Sequence, residues 1–106
     1  MTIDDLLEHA REIFDLCPDG WTRDPLLNAV KLAEETGEVA ECMVKSRKTK
    51  EDLGEELSDV IVVAAMIALQ ADIDLTKACT RKHKKTIKKI LKKYHNGNYP
   101  SKLQRG

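Results

Sequence analysis

The sequence predicts an all-α protein, a four-helix bundle-like arrangement in one domain that spans residues 1–106. Three observations lead to this fold class. Hydrophobic residues recur at helical spacing in four segments, a capping residue precedes each segment, and short polar connectors separate them. At 106 residues the chain has the size of one domain, and it contains no internal repeat or low-complexity linker.

The first helix is expected to begin after Thr2 and to end near Leu16. Thr2 followed by Asp5 has the spacing of a capping box. Its hydrophobic positions are Ile3, Leu6, Leu7, Ala10, Ile13 and Phe14. The turn-rich segment 17–22 follows, and it contains the only tryptophan of the chain, Trp21.

The second helix is expected to open with Asp24 as N-cap and Pro25 at the first helical position. Gly37 lies in its middle, where glycine costs about 1 kcal/mol relative to alanine, so we expect close helix packing at that point. The stripe that we expect to face the core comprises Leu26, Val30, Ala33, Gly37, Ala40 and Val44.

The third helix is expected to run from its N-cap, Thr49, to about Ala71. Its segment Val60 to Leu69 is hydrophobic on every side, and a helix of that kind must be surrounded by other protein. Three further helices of one small domain hardly enclose it. We therefore expect a homo-oligomer, a dimer or a dimer of dimers, with Val62 on the side turned away from the chain's own core.

The fourth helix is expected to begin after Asp74 and to reach about His95. Lysines would face outward, and the tail from about residue 96 is expected to be flexible. The predicted inward side comprises Cys79, His83, Ile87, Ile90, Leu91 and Tyr94.

The formal net charge of zero conceals a division of charge along the chain. Residues 1–74 contain all 18 acidic residues and 7 of the 18 basic ones, whereas residues 75–106 contain the other basic residues and no acidic one. Two explanations are compatible with each other: the basic segment covers the acidic helices, or it binds a polyanion that a metal ion also contacts.

Two carboxylate pairs, Glu35 with Glu38 and Glu56 with Asp59, are each three residues apart on a predicted helix. Each pair can direct both carboxylates to one point, and two facing helices would assemble four oxygen ligands suited to Mg²⁺ or Mn²⁺. A solvated acidic face is the other interpretation. Several carboxylates repel one another at i,i+4 spacing, as Glu34 and Glu38 do, and this density of like charge favours a metal site over a solvated face.

The same residues carry a resemblance to a known family. The pattern E-E-x-x-E at residues 34–38, then E-x-x-D at residues 56–59 and an apolar helix, resembles the MazG-type all-α nucleoside triphosphate pyrophosphatases over about residues 26–90. The resemblance implies that Glu35, Glu38, Glu56 and Asp59 are the catalytic metal ligands. A phosphoribosyl-ATP pyrophosphohydrolase is an alternative with a similar fold, but the local sequence around Glu38 and Asp59 resembles that enzyme less closely.

The resemblance also implies further binding residues. Lys82, Lys85 and Lys89 of the fourth helix match positions that bind the triphosphate, and Trp21 lies about where relatives place aromatic residues that stack on the base. Other interpretations remain open, namely a solvated lysine face and a tryptophan that caps the end of the bundle. Several relatives have Asn where this chain has Thr86, which puts the details of phosphate binding in doubt.

The expected activity is Mg²⁺-dependent hydrolysis of a nucleoside triphosphate, a deoxynucleotide by preference, to the monophosphate and pyrophosphate, as in house-cleaning of the nucleotide pool. A carboxylate that is not a ligand, Glu34, Glu41 or Glu55, would accept the proton of the attacking water. A non-catalytic helical protein whose basic C-terminal helix binds nucleic acid is the alternative from another class. It is disfavoured by the adjoining acidic segment and the few aromatic residues.

The composition also predicts the cellular compartment of the protein. The longest uncharged apolar run, Val60 to Leu69, is far shorter than the about 20 residues of a membrane span. The first residues lack the basic and apolar regions of a signal peptide, so we expect a cytoplasmic protein. Three widely spaced cysteines indicate neither a disulfide framework nor a zinc ribbon, and we expect Cys42 and Cys79 to be reduced and buried.

Overall fold

The computed structural model describes residues 1–101, and all regular structure in that range is helical. The elements are α1 (Ile3–Leu16), a short 3₁₀ helix (Gly20–Thr22), α2 (Pro25–Val44), α3 (Lys50–Gln70) and α4 (Leu75–Tyr94). The predicted all-α class with four helices is confirmed. The predicted flexible tail lies in part, at residues 102–106, outside the described residues.

Side-chain caps explain where the helices begin. Thr2 and Thr49 form capping boxes: each hydroxyl accepts from the backbone N–H three residues later, and the carboxylate there accepts from the threonine N–H. Asp24 accepts from two N–H groups of α2, and Asp74 accepts from one of α4. Each cap stabilises its helix by about 0.5–2 kcal/mol. All four predicted caps are therefore present.

The chain forms two compact units, Met1–Ile73 and a second that begins at Asp74. In the first unit, α3 packs against both α1 and α2. A small cluster of Ala10, Ala65 and Met66 lies between α1 and α3, and half-buried side chains surround it: Leu7, Ile13, Phe14, Trp21 and Leu69. This packing holds α3 in place and leaves one of its sides for α2.

Helices α2 and α3 run antiparallel as a hairpin. At the start of α2, the buried Asn28 donates from Nδ2 to Oε1 of Gln70, at the end of α3, over 2.9 Å. The two predicted carboxylate pairs meet farther along the same hairpin. The buried residues of α2 are Asn28, Glu35 and Cys42, seven residues apart, so this face of α2 is the one turned towards α3.

The prediction for the buried face of α2 was wrong. Leu26, Val30 and Val44 of the predicted core stripe are 78 %, 62 % and 83 % exposed. A Cβ added at Gly37 would meet no atom within 4 Å, so no close packing is made there within the described chain. On a helical projection the stripe lies opposite Glu35, and α2 turns its carboxylates rather than its apolar residues towards α3.

The apolar half of α3 is enclosed on most sides but not on all. Val63, Ala65, Met66 and Ala68 are buried, whereas Ile61 remains 45 % exposed. Val62 is half-buried, so Ile61 marks the outward side of α3 better than the predicted Val62.

No residue of α4, which is described in full, is buried. The predicted inward positions Cys79, His83, Ile90 and Tyr94 are exposed, while Ile87 and Leu91 are half-buried. The expectation that Cys79 is buried was therefore wrong, whereas Cys42 is buried as expected. The described part of the chain contains no helix with the length and hydrophobicity that crossing a membrane requires.

Candidate metal centre

The structure brings the four predicted carboxylates together. Glu35 and Glu38 reach into the centre from α2, and Glu56 and Asp59 reach into it from α3. One oxygen of each lies within 4.8 Å of one oxygen of every other. The i,i+3 spacing aligns each pair on its own helix, and the antiparallel hairpin places the two pairs face to face.

The four side chains differ in their access to solvent. Glu35 is buried and only 6 % exposed, Glu38 and Glu56 are half-buried, and Asp59 is exposed. The centre is therefore open at Asp59 and closed at Glu35.

Two buried oxygen atoms of the cluster have no hydrogen-bond partner in the described part of the chain. They are Oε2 of Glu35 and Oε2 of Glu56. Buried polar atoms are nearly always paired, and a buried carboxylate oxygen without a donor is costly. Since one comes from each helix and both belong to the cluster, a cation bound between the helices would satisfy them.

Lys31 is the cation in contact with this cluster. Its Nζ lies 3.2 Å from Oε1 of Glu35 and 3.4 Å from Oε1 of Glu34. The hydrogen bond with Glu35 raises the pKa of Lys31, so the ammonium group stays charged at neutral pH. The sequence indicated only that Lys31 relieves the end of the acidic run. Its pairing with Glu35 is an i,i+4 contact within α2, whereas the burial of Glu35 depends on how α2 is turned towards α3.

The crowding of carboxylates has an electrostatic consequence for Glu38. The hydrogen bond and the charge that Glu35 offers, with a further contribution from Glu56, raise the pKa of Glu38 to about 7. Like charges held this close disfavour simultaneous ionisation, so Glu38 retains its proton more readily than an isolated glutamate.

This shift predicts how the stability of the metal-free protein depends on pH. The folded chain holds the Glu38 proton up to about pH 7, while a glutamate in the unfolded chain releases it near the ordinary value of 4.5. The stability that protonated Glu38 contributes is therefore fully present below about pH 4.5 and is lost as the pH rises to about 7, because the folded state binds more protons than the unfolded state in that window.

The measurement is the melting temperature of metal-free protein, kept in chelator, across this pH range for the wild type and Glu38→Gln. We expect the wild type to lose stability relative to the variant as the pH rises. A difference between the two proteins that does not change with pH would contradict the assignment of the raised pKa to Glu38.

Trp21 lies close to the carboxylate centre in the first unit. Its ring is half-buried and packs against the Ala10, Ala65 and Met66 cluster, which agrees with the capping role. Nζ of Lys31 lies 5.9 Å from the ring centroid, within the range of a cation–π contact. Trp21 therefore contacts the hydrophobic cluster and also lies near Lys31, the lysine that is paired with Glu35.

A polar network beside Trp21 was missed by the sequence analysis. Gln70 accepts from Asn28 and donates from Nε2 to the backbone carbonyl of Thr22. Both Asn28 and Thr22 are buried. The signal available in the sequence was the position of Asn28, seven residues before Glu35 and hence on the same face of α2. The network ties the 3₁₀ helix that carries Trp21 to both helices of the hairpin.

The predicted phosphate-binding lysines belong to the second compact unit. Lys82, Lys85 and Lys89 are exposed on α4. Their spacing places them within about 60° of one another around the helix. As a group, they form a basic stripe that is accessible to an anion.

A family model described as the MazG nucleotide pyrophosphohydrolase domain matches residues 23–94, well over half of the chain. The match includes α2, α3 and α4, and thus all four carboxylates and the three lysines. Comparison with curated proteins gives no match, and neither does comparison with solved structures. The extent of the family match, on a chain whose two central helices bring four carboxylates to one point, shows that this protein belongs to the MazG nucleotide pyrophosphohydrolase family.

Proposed function

We propose that the protein hydrolyses a nucleoside triphosphate, a deoxynucleotide by preference, between the α and β phosphates. The products are the monophosphate and pyrophosphate, and the role is house-cleaning of the nucleotide pool. The observation that carries the proposal is the convergence of Glu35, Glu38, Glu56 and Asp59 within 4.8 Å, inside the region that matches the family.

The donor set fits Mg²⁺, with Mn²⁺ as the substitute. Four carboxylates provide hard oxygen ligands only, which is the set that these cations prefer. The unpartnered Oε2 atoms of Glu35 and Glu56 supply one free ligand from each helix. When bound, such a cation neutralises triphosphate charge and lowers the pKa of a water molecule.

The family resemblance assigns further binding roles to residues outside the carboxylate centre. The exposed lysines Lys82, Lys85 and Lys89 would stabilise the charge that gathers on the departing pyrophosphate. Trp21 keeps part of its ring accessible, and that part would stack on the base. Both roles follow from the family resemblance.

The proton of the attacking water needs an acceptor near the centre. Of the three candidates, Glu41 is paired with Lys45, and the hydrogen bond from that lysine lowers the pKa of Glu41, which makes this carboxylate a weaker base than an isolated glutamate. Glu34 shares Lys31 with Glu35. Glu55 is exposed and has no ion pair among the described residues. These contacts favour Glu34 or Glu55 over Glu41.

A homo-oligomer, a dimer or a dimer of dimers, is part of the proposal. Both helices of the α2–α3 hairpin expose large apolar side chains, and Gly37 in the exposed stripe of α2 leaves room for close approach of another helix. The exposed residues are Leu26, Val30, Val44, Leu57 and Ile61.

The test is pyrophosphate release from a panel of ribo- and deoxynucleoside triphosphates, with phosphoribosyl-ATP included, in the presence and absence of Mg²⁺. We expect release only with the cation, together with a higher melting temperature of the protein in millimolar Mg²⁺, because a ligand of the folded state stabilises it. Nucleotide-independent binding of DNA or RNA with no release on any panel member would contradict the proposal.

A further inference from the structure

Lys31 contacts the candidate metal centre but is not one of its ligands. Its ammonium group is the charge that balances Glu35, which is buried and needs a partner of opposite charge. The lysine side chain is 29 % exposed, so it lies at the edge of the buried region. A cation bound by Glu35 would be repelled by the ammonium group of Lys31.

The two oxygens of Glu35 have different surroundings. Oε1 lies 3.2 Å from Nζ of Lys31 in an ion pair, whereas Oε2 is buried and has no hydrogen-bond partner among residues 1–101. A divalent cation on Oε2 would place two positive centres on one carboxylate. Since like charges repel strongly where solvent is partly excluded, the ammonium group and the cation compete for Glu35.

Lys31 has two other groups within reach. Oε1 of Glu34, which is exposed, already lies 3.4 Å from Nζ, and the centroid of the Trp21 ring lies 5.9 Å away. A lysine side chain has a flexible four-carbon stem, so its ammonium group can change partner with little movement of the backbone. It can leave Glu35 without losing all its contacts.

We propose that Lys31 is a displaceable counter-ion: a divalent cation at the carboxylate centre shifts its ammonium group from Glu35 towards Glu34 and the face of Trp21. Lys31 is thus a positioning residue that couples occupation of the metal site to the environment of Trp21. The inference rests on the metal site of the proposed function. It adds that Lys31 exchanges Glu35 for Glu34 when the site is filled, which metal binding by the four carboxylates does not by itself require.

The experiment measures metal affinity and tryptophan emission separately, without turnover. Mn²⁺ affinity is obtained from the electron paramagnetic resonance signal of the free ion. Emission is recorded during titration with Mg²⁺, and it reports on Trp21 because the chain has one tryptophan. The variants are Lys31→Met, Lys31→Gln, which retains a hydrogen-bond donor for Glu35 if the methionine variant does not fold, and Lys31→Arg.

A matched control is available on the same helix. Lys45 pairs with Glu41 at the same i,i+4 spacing, and neither residue belongs to the group of four carboxylates. Lys45→Met therefore removes a lysine from an i,i+4 ion pair on the same helix, one that is exposed and lies outside the centre. Any effect seen for Lys31 and not for Lys45 is specific to the centre.

In the wild type we expect Mg²⁺ to change the emission of Trp21. Removing the competing charge in Lys31→Met or Lys31→Gln should tighten Mn²⁺ binding about fivefold and abolish most of the emission change. Lys31→Arg should retain the emission change, and Lys45→Met should behave as the wild type in both measurements.

Wild-type protein that binds Mn²⁺ but shows no emission change would overturn the inference and leave the metal site standing. Mn²⁺ affinity that is unchanged or weaker in both neutral variants would also overturn it. Wild-type protein that binds no Mn²⁺ would remove the metal site itself, so the two failures are distinguishable.

Discussion

Replacing Glu38 by Gln, or Asp59 by Asn, is expected to bring pyrophosphate release close to background while the helical fold is retained. Each residue contributes one of the four oxygens that lie within 4.8 Å of one another, one from α2 and one from α3. We expect a fall of about 10²- to 10³-fold, the range seen when one preorganised electrostatic contact to a transition state is removed.

The same substitutions should leave the metal-free protein at least as stable as the wild type. Glu38 faces Glu34 at i,i+4 spacing and lies close to Glu35 and Glu56, so its ionised form is repelled from several sides. Removing one like-charge pair of this spacing relieves repulsion within the helix. Circular dichroism measures the helical content of the wild type and the two variants, and thermal melting in chelator compares their stability.

Glu51→Gln is the control, because Glu51 is an exposed acid in the first turn of the same α3 and lies outside the centre. It should retain wild-type release. Near-wild-type release by Glu38→Gln and Asp59→Asn would contradict the assignment of the centre, whereas loss of helical signal would show that the carboxylates are required for folding instead.

Replacing Ile61 by Glu is expected to yield unfolded or aggregated protein rather than a soluble active monomer. Ile61 lies on α3 with 45 % of its surface exposed, on the outward side of a helix whose other sides are covered by α1 and α2. Burying such a side chain fully contributes about 1.5–3 kcal/mol relative to exposure. That is a large share of the stability of a small domain, typically about 5–15 kcal/mol.

The reason to expect a loss of folding is the small size of the enclosed core. Only six hydrophobic residues are buried among those described, and three of them are alanines. If a second chain covers Ile61, association supplies part of the stability, and a charge buried at this position removes that part. The structure makes Ile61 a better test than Val62, which also packs within its own chain.

Analytical ultracentrifugation of the wild type and of Ile61→Glu at micromolar concentration measures this effect. His9→Glu, which adds a charge at an exposed position of α1, is the control and should associate as the wild type does. A wild type that sediments as a stable 12.0 kDa species, or an Ile61→Glu variant that is an active monomer, would contradict the proposed oligomer.

The helix boundaries were predictable because each depends on contacts within a few residues. Thr2 with Asp5 and Thr49 with Asp52 form their caps inside one turn, and Asp24 needs only the next two N–H groups of α2. The pairing of carboxylates three apart on one helix is equally local. These features follow from the order of residues alone, and the structure agrees with them to within one residue.

The inward face of α2 was not predictable in the same way. The hydrophobic pattern pointed to the side of Val30, but α2 turns Glu35 and Glu38 towards α3, and Val30 is exposed. Hydrophobic periodicity identifies an apolar side of a helix, but it does not say whether that side meets the chain's own core or another surface.

The sequence by itself therefore determined the helices, their caps and the four acids that serve as candidate ligands. The tertiary structure alone decided that Glu35 is buried, that Glu56 and Asp59 join it at one centre, and that an oxygen of Glu56 has no partner among residues 1–101. The physical reason is range. A cap, the Lys31–Glu35 ion pair and the effect of Glu35 on the pKa of Glu38 act within about one helical turn. Burial of Glu35 and the approach of Glu56 depend on residues about 20 positions apart that only the α2–α3 hairpin brings together.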